Sequence, residues 1–156
     1  MATNRAMPST NNPRVAVQRH FGNLEVVSVD TKNWEAKFQV KGTNGPEFRT
    51  PLSMVRPLSA EDSDQFWQML VDDVIANLKA EGKYANFVKG YEVWTDEDST
   101  GDPAVYVRIL VAPSKGLASK ATVDKWNKFV DAVHEALLKL RLQRWPYVQI
   151  GEARRK

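Results

Sequence analysis

Residues 91–111 read YEVWTDEDSTGDPAVYVRILV, two apolar runs separated by a stretch rich in carboxylates and hydroxyls. Residues 91–95 and 104–111 have the β-branched and aromatic composition of strands. Between them, aspartate and serine favour Asx-type turns, Gly101 permits a positive φ, and Pro103 fixes the entry to the second strand. The stretch therefore predicts a hairpin with the acidic loop TDEDSTGDPA at its tip.

Two helices flank this hairpin in the chain, and each is indicated by an apolar stripe. Ser59 is the expected N-cap of the first, which ends at Gly82. Ser119 or Thr122 caps the second. The apolar positions of the second helix alternate in steps of three and four residues: Val123, Trp126, Val130, Val133, Leu137 and Leu140. We expect this stripe to pack on the protein's own sheet, and homodimerisation through it is the alternative.

The order of predicted elements defines an α+β fold. From about residue 47 to 150 it is strand, helix, strand, strand, helix, strand, which is the ferredoxin-like βαββαβ arrangement of one sheet with two helices. The last strand is residues 146–150. An extra N-terminal hairpin, about residues 24–40, extends the sheet, covers its open face, or joins residues 48–55 in a separate small β-barrel.

The N-terminal strands also carry a local resemblance. NWEAKFQVKG at residues 33–42 alternates apolar and polar side chains, with Trp34, Ala36, Phe38 and Val40 on one face. Together with FRTPLSMVRPL at residues 48–58, it resembles small β-barrels of the Tudor type. The resemblance carries no aromatic-cage pattern and implies no function, and no family is recognised for the whole chain.

Composition limits the class of protein. The 156 residues include no cysteine, which excludes disulfides and thiolate chemistry and is compatible with a cytoplasmic location. No apolar run has the length of a membrane span. We expect residues 1–14 to be a disordered polar lead and 152–156 a basic tail. Between them we expect a single α+β domain, 15–151, with a β-rich subregion at 15–56 and a helix and strand layer at 59–151.

Charge is strongly zoned along the chain. Residues 61–103 hold three Lys or Arg against eleven Asp or Glu, a net −8, whereas residues 1–60 carry +4 and residues 104–156 carry +7. Such zoning can steer a charged partner towards one surface, and it is equally compatible with attraction between segments of one fold.

The acidic loop is the first candidate for a metal site. Counted from Asp96, it places Asp98, Thr100, Gly101 and Asp102 as an EF-hand loop would, but Val107 stands where the closing glutamate belongs. We therefore expect a turn and no metal. Nor do we expect a catalytic site or a cofactor, because neither histidine, His20 or His134, lies in a recognisable catalytic pattern, and no phosphate-binding glycine motif occurs.

A binding surface is better supported. Alternation in 104–111 directs Val105, Val107, Ile109 and Val111 to a helix-covered face, which leaves Tyr106 and Arg108 on the other. The same alternation brings Trp94 and Tyr147 to that second face, unless the Trp34 and Phe38 face of the N-terminal hairpin covers it. The basic tail, Arg154, Arg155 and Lys156, is a second candidate contact for phosphates.

These observations predict a non-catalytic accessory protein that acts through a protein partner, as a complex subunit or as an antitoxin-like or immunity-like factor. The alternative is a single-stranded RNA-binding or DNA-binding module in which bases stack on Trp94, Tyr106 and Tyr147 beside Arg108. That module usually opens its key strand with a basic-Gly-aromatic signature, which AVYVRILV lacks. An uncharacterised small enzyme is a second alternative.

Overall fold

A computed structural model describes residues 23–57, 59–82, 87–112 and 119–152. Within these residues the structure is α+β, with two three-stranded sheets and two α-helices. The chain divides into two compact units, the first ending at Leu70 and the second beginning at Val71. The predicted lead 1–14, His20 and the basic tail residues Arg154, Arg155 and Lys156 lie outside the described residues.

The first unit contains an antiparallel sheet of order β1-β2-β3. Its strands are β1 (Leu24–Asp30), β2 (Glu35–Val40) and β3 (Phe48–Pro51), and a short 3-10 helix, Leu52–Met54, follows. Alternate apolar side chains supply its core, as a half-buried sheet requires. The buried apolar residues are Leu24, Val26, Ala36, Phe38, Leu52 and Val55.

Trp34 departs from the alternation that the sequence predicts. It is 55% exposed, whereas Ala36 and Phe38 are buried as expected. The reason is local: the Asp30 carboxylate accepts hydrogen bonds from the backbone of Lys32 and Asn33. This Asx-type turn leaves Trp34 at φ 55°, in the left-handed region and ahead of the first residue of β2.

Helix α1, Ala60–Ala80, begins in the first unit and ends in the second. The predicted N-cap is present, since the Ser59 hydroxyl accepts a hydrogen bond from the Asp62 backbone N–H at 3.0 Å. Its apolar stripe is buried, and Gly82 follows the helix with a φ of 68°, as a C-terminal glycine does. The buried apolar residues are Phe66, Trp67, Leu70, Val71, Val74, Ile75 and Leu78.

The second unit contains a sheet of order β4-β5-β6. Strands β4 (Val88–Glu97) and β5 (Pro103–Val111) form the predicted antiparallel hairpin. Helix α2, Lys120–Lys139, then leads to β6 (Trp145–Glu152), which pairs with β5 in parallel. Among the described residues, neither helix is long and apolar enough to cross a membrane.

The ferredoxin-like strand order is not what the structure has. In that fold a strand preceding the first helix would lie between β5 and β6. Here the corresponding strand, β3, pairs with β2, and its register runs from Glu35 opposite Pro51 to Phe38 opposite Phe48. Because β2 and β3 are joined by a short connection, pairing between these sequential strands is favoured. Of the sequence-based alternatives, the one in which residues 48–55 join the N-terminal hairpin in a small β-barrel is confirmed for the pairing of β3 with that hairpin, while the described strands form a three-stranded sheet.

Helix α2 buries only part of its predicted stripe. Ser119 caps it by accepting a hydrogen bond from the Thr122 backbone N–H. Val133, Leu137 and Leu140 are buried, whereas Val123 near its N-terminus is 37% exposed. The helix contacts β6, so the C-terminal half of the stripe packs within the second unit. Homodimerisation through the stripe stays a prediction.

Candidate binding surface

Three aromatic rings stand side by side on the sheet of the second unit. Trp94 on β4 lies opposite Tyr106 on β5, which in turn lies opposite Tyr147 on β6. The Trp94 and Tyr106 ring centroids are 5.4 Å apart with planes 12° from parallel. The Tyr106 and Tyr147 centroids are 5.3 Å apart with planes 17° from parallel. These three residues are called the aromatic ladder below.

The ladder follows from the alternation of β5. Val105, Val107 and Ile109 are fully buried on one face, so Tyr106 and Arg108 must project from the other. Strand spacing of about 4.8 Å then sets neighbouring rings at stacking distance. The sequence therefore predicted correctly which face these side chains share.

Stacking decides what the ladder offers to a ligand. The faces of Tyr106 are turned towards its two neighbours, so the central ring presents its edge, whereas Tyr147 has one face on the outer side of the stack. Trp94 and Tyr106 are half-buried, and Tyr147 is 40% exposed on the outer strand of the sheet. The ladder is therefore a continuous aromatic strip across three strands, and the space between neighbouring rings is too narrow for another ring to insert.

A polar row runs beside the ladder. Glu92, Arg108 and Gln149 occupy successive strands at one register position. Arg108 Nη1 lies 3.4 Å from Glu92 Oε1, and the guanidinium carbon lies 5.4 Å from the centroid of the Trp94 ring. The ion pair is largely exposed, so its contribution to stability is small. The cation–π contact with Trp94 helps to fix the position of the guanidinium.

Gly151 allows Arg108 to lie across the sheet. A Cβ atom at position 151 would be 2.7 Å from Arg108 Cδ and 2.9 Å from Arg108 Cγ. Any other residue there would force the arginine stem to move. Glycine at this position is therefore part of what places the guanidinium between Glu92 and Trp94.

The acidic loop is a turn organised by one carboxylate. Asp98 Oδ1 accepts hydrogen bonds from the Thr100 backbone N–H at 2.9 Å, the Thr100 hydroxyl at 2.7 Å and the Asp102 backbone N–H at 3.0 Å. Gly101 adopts a φ of 85°, which suits glycine. In the described parts of the chain, no group of three or more His, Cys, Asp or Glu side chains is placed so that it could hold a metal ion.

Asp98 also connects the turn to the ladder. The Tyr147 hydroxyl donates a hydrogen bond to Asp98 Oδ2 at 3.0 Å. Hydrogen bonds from the Thr100 hydroxyl, the Asp102 backbone, the Thr100 backbone and Tyr147 lower the pKa of Asp98 to about 2. The same Tyr147–Asp98 hydrogen bond raises the pKa of Tyr147, because the phenol is the donor. The carboxylate is thus ionised at neutral pH and holds the outermost ring in place.

Arg144 is a supporting residue that the sequence did not reveal. Its Nη1 donates hydrogen bonds to the carbonyl oxygens of Asp96, at 3.0 Å, and Ala104, at 2.9 Å. Asp96 and Ala104 lie opposite one another where the hairpin turns, so the guanidinium ties both strands together. An arginine ahead of a strand has no pattern that would predict this contact.

His134, the described histidine, lies on α2 and contacts the first residue of β6. Its ring makes an edge contact with Trp145, with centroids 5.8 Å apart. It is half-buried on α2.

No protein-family model, curated protein or solved structure matches this chain. The function is therefore inferred from the chemistry of the aromatic ladder and its surroundings.

Proposed function

We propose that this chain is a non-catalytic binding protein that recognises a protein partner through the aromatic ladder. The observation that supports it is the stack of Trp94, Tyr106 and Tyr147, which reaches solvent across three strands. Aromatic side chains are enriched among the residues that dominate protein interfaces. They bring a large contact area at low cost in conformational entropy, and here stacking restricts them further.

Charge around the ladder favours a basic partner. The carboxylates of Glu92, Asp96, Asp98 and Asp102 lie on this face or in its turn, against the guanidinium groups of Arg108 and Arg144. They belong to the segment of the chain with net charge −8. Like-charge repulsion opposes the approach of phosphates, whereas lysine and arginine side chains of a protein would be attracted.

The stacking geometry also favours a protein over a single-stranded nucleic acid. Base recognition on a sheet needs aromatic rings whose faces are open to the bases. In the ladder the faces of Tyr106 are directed at Trp94 and Tyr147, so a base has no access between them. The ring edges of the ladder and the carboxylates around them are better suited to the apolar and cationic side chains of a protein than to nucleic-acid bases.

The role of a complex subunit and that of an antitoxin-like or immunity-like factor both require such a surface. In either role the protein would act by occupying its partner, with no cofactor of its own. The absence of cysteine is compatible with action in the reducing cytoplasm.

Co-purification with ladder variants tests the proposal. Wild type, Tyr106→Ala, Tyr147→Ala and Trp34→Ala are tagged and recovered from the native cell. Trp34 is the matched control, because it is a 55% exposed aromatic residue outside the ladder. We expect a protein that wild type and Trp34→Ala retain and that both ladder variants lose, while circular dichroism shows all four folded.

A parallel titration with a single-stranded RNA at low and moderate salt tests the alternative. Low salt is the most permissive condition for a phosphate contact. Tight RNA binding that Tyr147→Ala abolishes would refute the protein-partner proposal in favour of the nucleic-acid module. Partner retention that is the same in the ladder variants and wild type would refute the aromatic ladder as the surface that binds the partner.

A further inference from the structure

The two ends of the aromatic ladder differ in one respect. At the Trp94 end, a carboxylate (Glu92) and a cation (Arg108) lie beside the ring. At the Tyr147 end, the Asp98 carboxylate accepts a hydrogen bond from the ring hydroxyl. Among the described residues, no Lys or Arg side-chain nitrogen lies within 4.0 Å of an oxygen of that carboxylate. One end thus carries all three components of a cation site. At the other end Asp98 has no ion-pair partner among the described residues, since the nearby Arg144 donates to the carbonyl oxygens of Asp96 and Ala104.

We propose that an arginine side chain of the protein partner binds at the Tyr147 end, with its guanidinium against the Tyr147 ring and the carboxylates of Asp98 and Asp102. This inference rests on the proposed function, and it specifies the chemistry of the partner. The arrangement reproduces between two proteins the contact that Arg108 makes with Trp94 and Glu92 inside the chain.

The Tyr147 ring has a surface available for this contact. One of its faces stacks on Tyr106, and β6 is an outer strand of the described sheet. No further strand of that sheet covers the other face, and the residue is 40% exposed. A planar cation can therefore approach the ring from the sheet edge.

The neighbouring carboxylates have unused acceptor capacity and repel one another. Asp98 Oδ1 already accepts three hydrogen bonds, whereas Oδ2 accepts the one from Tyr147. The Thr100 hydroxyl lies 2.7 Å from Asp98 Oδ1 and 3.1 Å from Asp102 Oδ2, so its one proton serves two carboxylates. A cation placed between these groups would reduce their mutual repulsion.

Arginine fits this site better than lysine. Its guanidinium is planar, stacks on aromatic rings, and can donate two parallel hydrogen bonds to a carboxylate. A lysine ammonium would make the charge contact without the stacking. Selectivity for arginine is therefore the property that separates this proposal from general attraction to an acidic surface.

Peptide titrations of the full-length chain provide the test. The probes are acetyl-Gly-Gly-Arg-Gly-Gly-amide and the same peptide with citrulline or lysine in place of arginine. Binding is followed by the amide signals of isotopically labelled protein. We expect the arginine peptide to shift signals of Asp98, Asp102 and Tyr147, and to bind about two- to five-fold more tightly than the citrulline peptide, the range of an exposed cation–π contact.

Variants locate the site. Asp98→Asn keeps an oxygen for the turn and removes the charge, and Asp124→Asn on α2 removes a charge from an exposed position elsewhere. We expect Asp98→Asn and Tyr147→Ala to abolish the preference for arginine over citrulline, and Asp124→Asn to leave it unchanged. Asp102→Asn is the second charge variant, in case Asp98→Asn alters the turn.

Three results would overturn the inference: no detectable binding of the arginine peptide, binding of the citrulline or the lysine peptide as tight as that of the arginine peptide, or shifts confined to other surfaces. Failure of this inference can be told from failure of the proposed function. A partner that Tyr106→Ala loses but Asp98→Asn and Asp102→Asn both retain at full strength would preserve the protein-partner role and exclude the arginine site.

Discussion

Tyr106 and Tyr147 lie directly opposite each other on parallel strands, with ring planes 17° apart and centroids separated by 5.3 Å. The stack joins the β4-β5 hairpin to a strand that arrives only after helix α2. Residues 41 positions apart in the chain are thereby held as neighbours on one surface. The ladder is thus a product of the tertiary fold, and its integrity reports on the docking of β6.

The central ring should matter most for stability. Tyr106→Ala removes two stacking contacts at once, each worth about 0.5–1.5 kcal/mol beyond buried area, so we expect a loss of about 1–3 kcal/mol in the free energy of unfolding. Tyr106→Phe keeps both stacks and should stay within about 0.5 kcal/mol of wild type. Urea denaturation measures both, and equal losses for the two variants would contradict the role of stacking.

Gly151 should be energetically coupled to Arg108. In wild type, Gly151→Ala forces the arginine stem away and disrupts its contacts with Glu92 and Trp94. In an Arg108→Ala background, Gly151→Ala no longer clashes with the arginine side chain. It should then be neutral or stabilising by about 0.5 kcal/mol, because alanine has less conformational freedom than glycine in the unfolded chain. We expect a coupling energy of at least about 0.5 kcal/mol from a double-mutant cycle. Additive effects would show that Gly151 does not position the guanidinium.

Arg144 should stabilise the hairpin end. Arg144→Leu leaves the carbonyl oxygens of Asp96 and Ala104 without their charged donor, and Ala104 is fully buried. Hydrogen bonds to charged groups contribute about 1.5–3 kcal/mol, so we expect a loss of about 2 kcal/mol. Hydrogen exchange should accelerate at the amides of residues 96–104. Arg144→Lys, which retains the charge, should lose less, and unchanged exchange in Arg144→Leu would argue against the contact.

The hairpin, both helix caps and the sharing of one face by Trp94, Tyr106, Arg108 and Tyr147 could be predicted because each depends on short-range patterns. Alternation fixes which side of a strand a residue occupies, whatever strand lies next to it. The acidic loop was likewise readable, since Asx-type turns and a positive-φ glycine are local features.

Strand order could not be predicted in the same way. Periodicity predicts that β3 is a strand but does not indicate which strand it pairs with. In the structure β3 pairs with β2 and not with β5 and β6, which is why the predicted ferredoxin-like order was wrong. The stacking of the rings on one another, the Tyr147–Asp98 hydrogen bond and the two Arg144 contacts all depend on the parallel placement of β6 beside β5. No short-range pattern encodes that placement.

The Asp98 carboxylate should make the stability of the folded state depend on pH. The pKa of Asp98 is about 2 in the folded chain, below the ordinary 3.8, so the folded state holds its proton less tightly than the unfolded state. The stabilisation is therefore fully present above about pH 4 and is lost as pH falls towards about 2. Asp98→Asn, which cannot ionise, should have a lower thermal midpoint than wild type at about pH 6, and the difference should shrink on acidification. Thermal melts monitored by circular dichroism across this range, with Asp124→Asn as the control, measure it. A difference between wild type and Asp98→Asn that stays constant down to about pH 2 would show that the ionised Asp98 does not stabilise the turn.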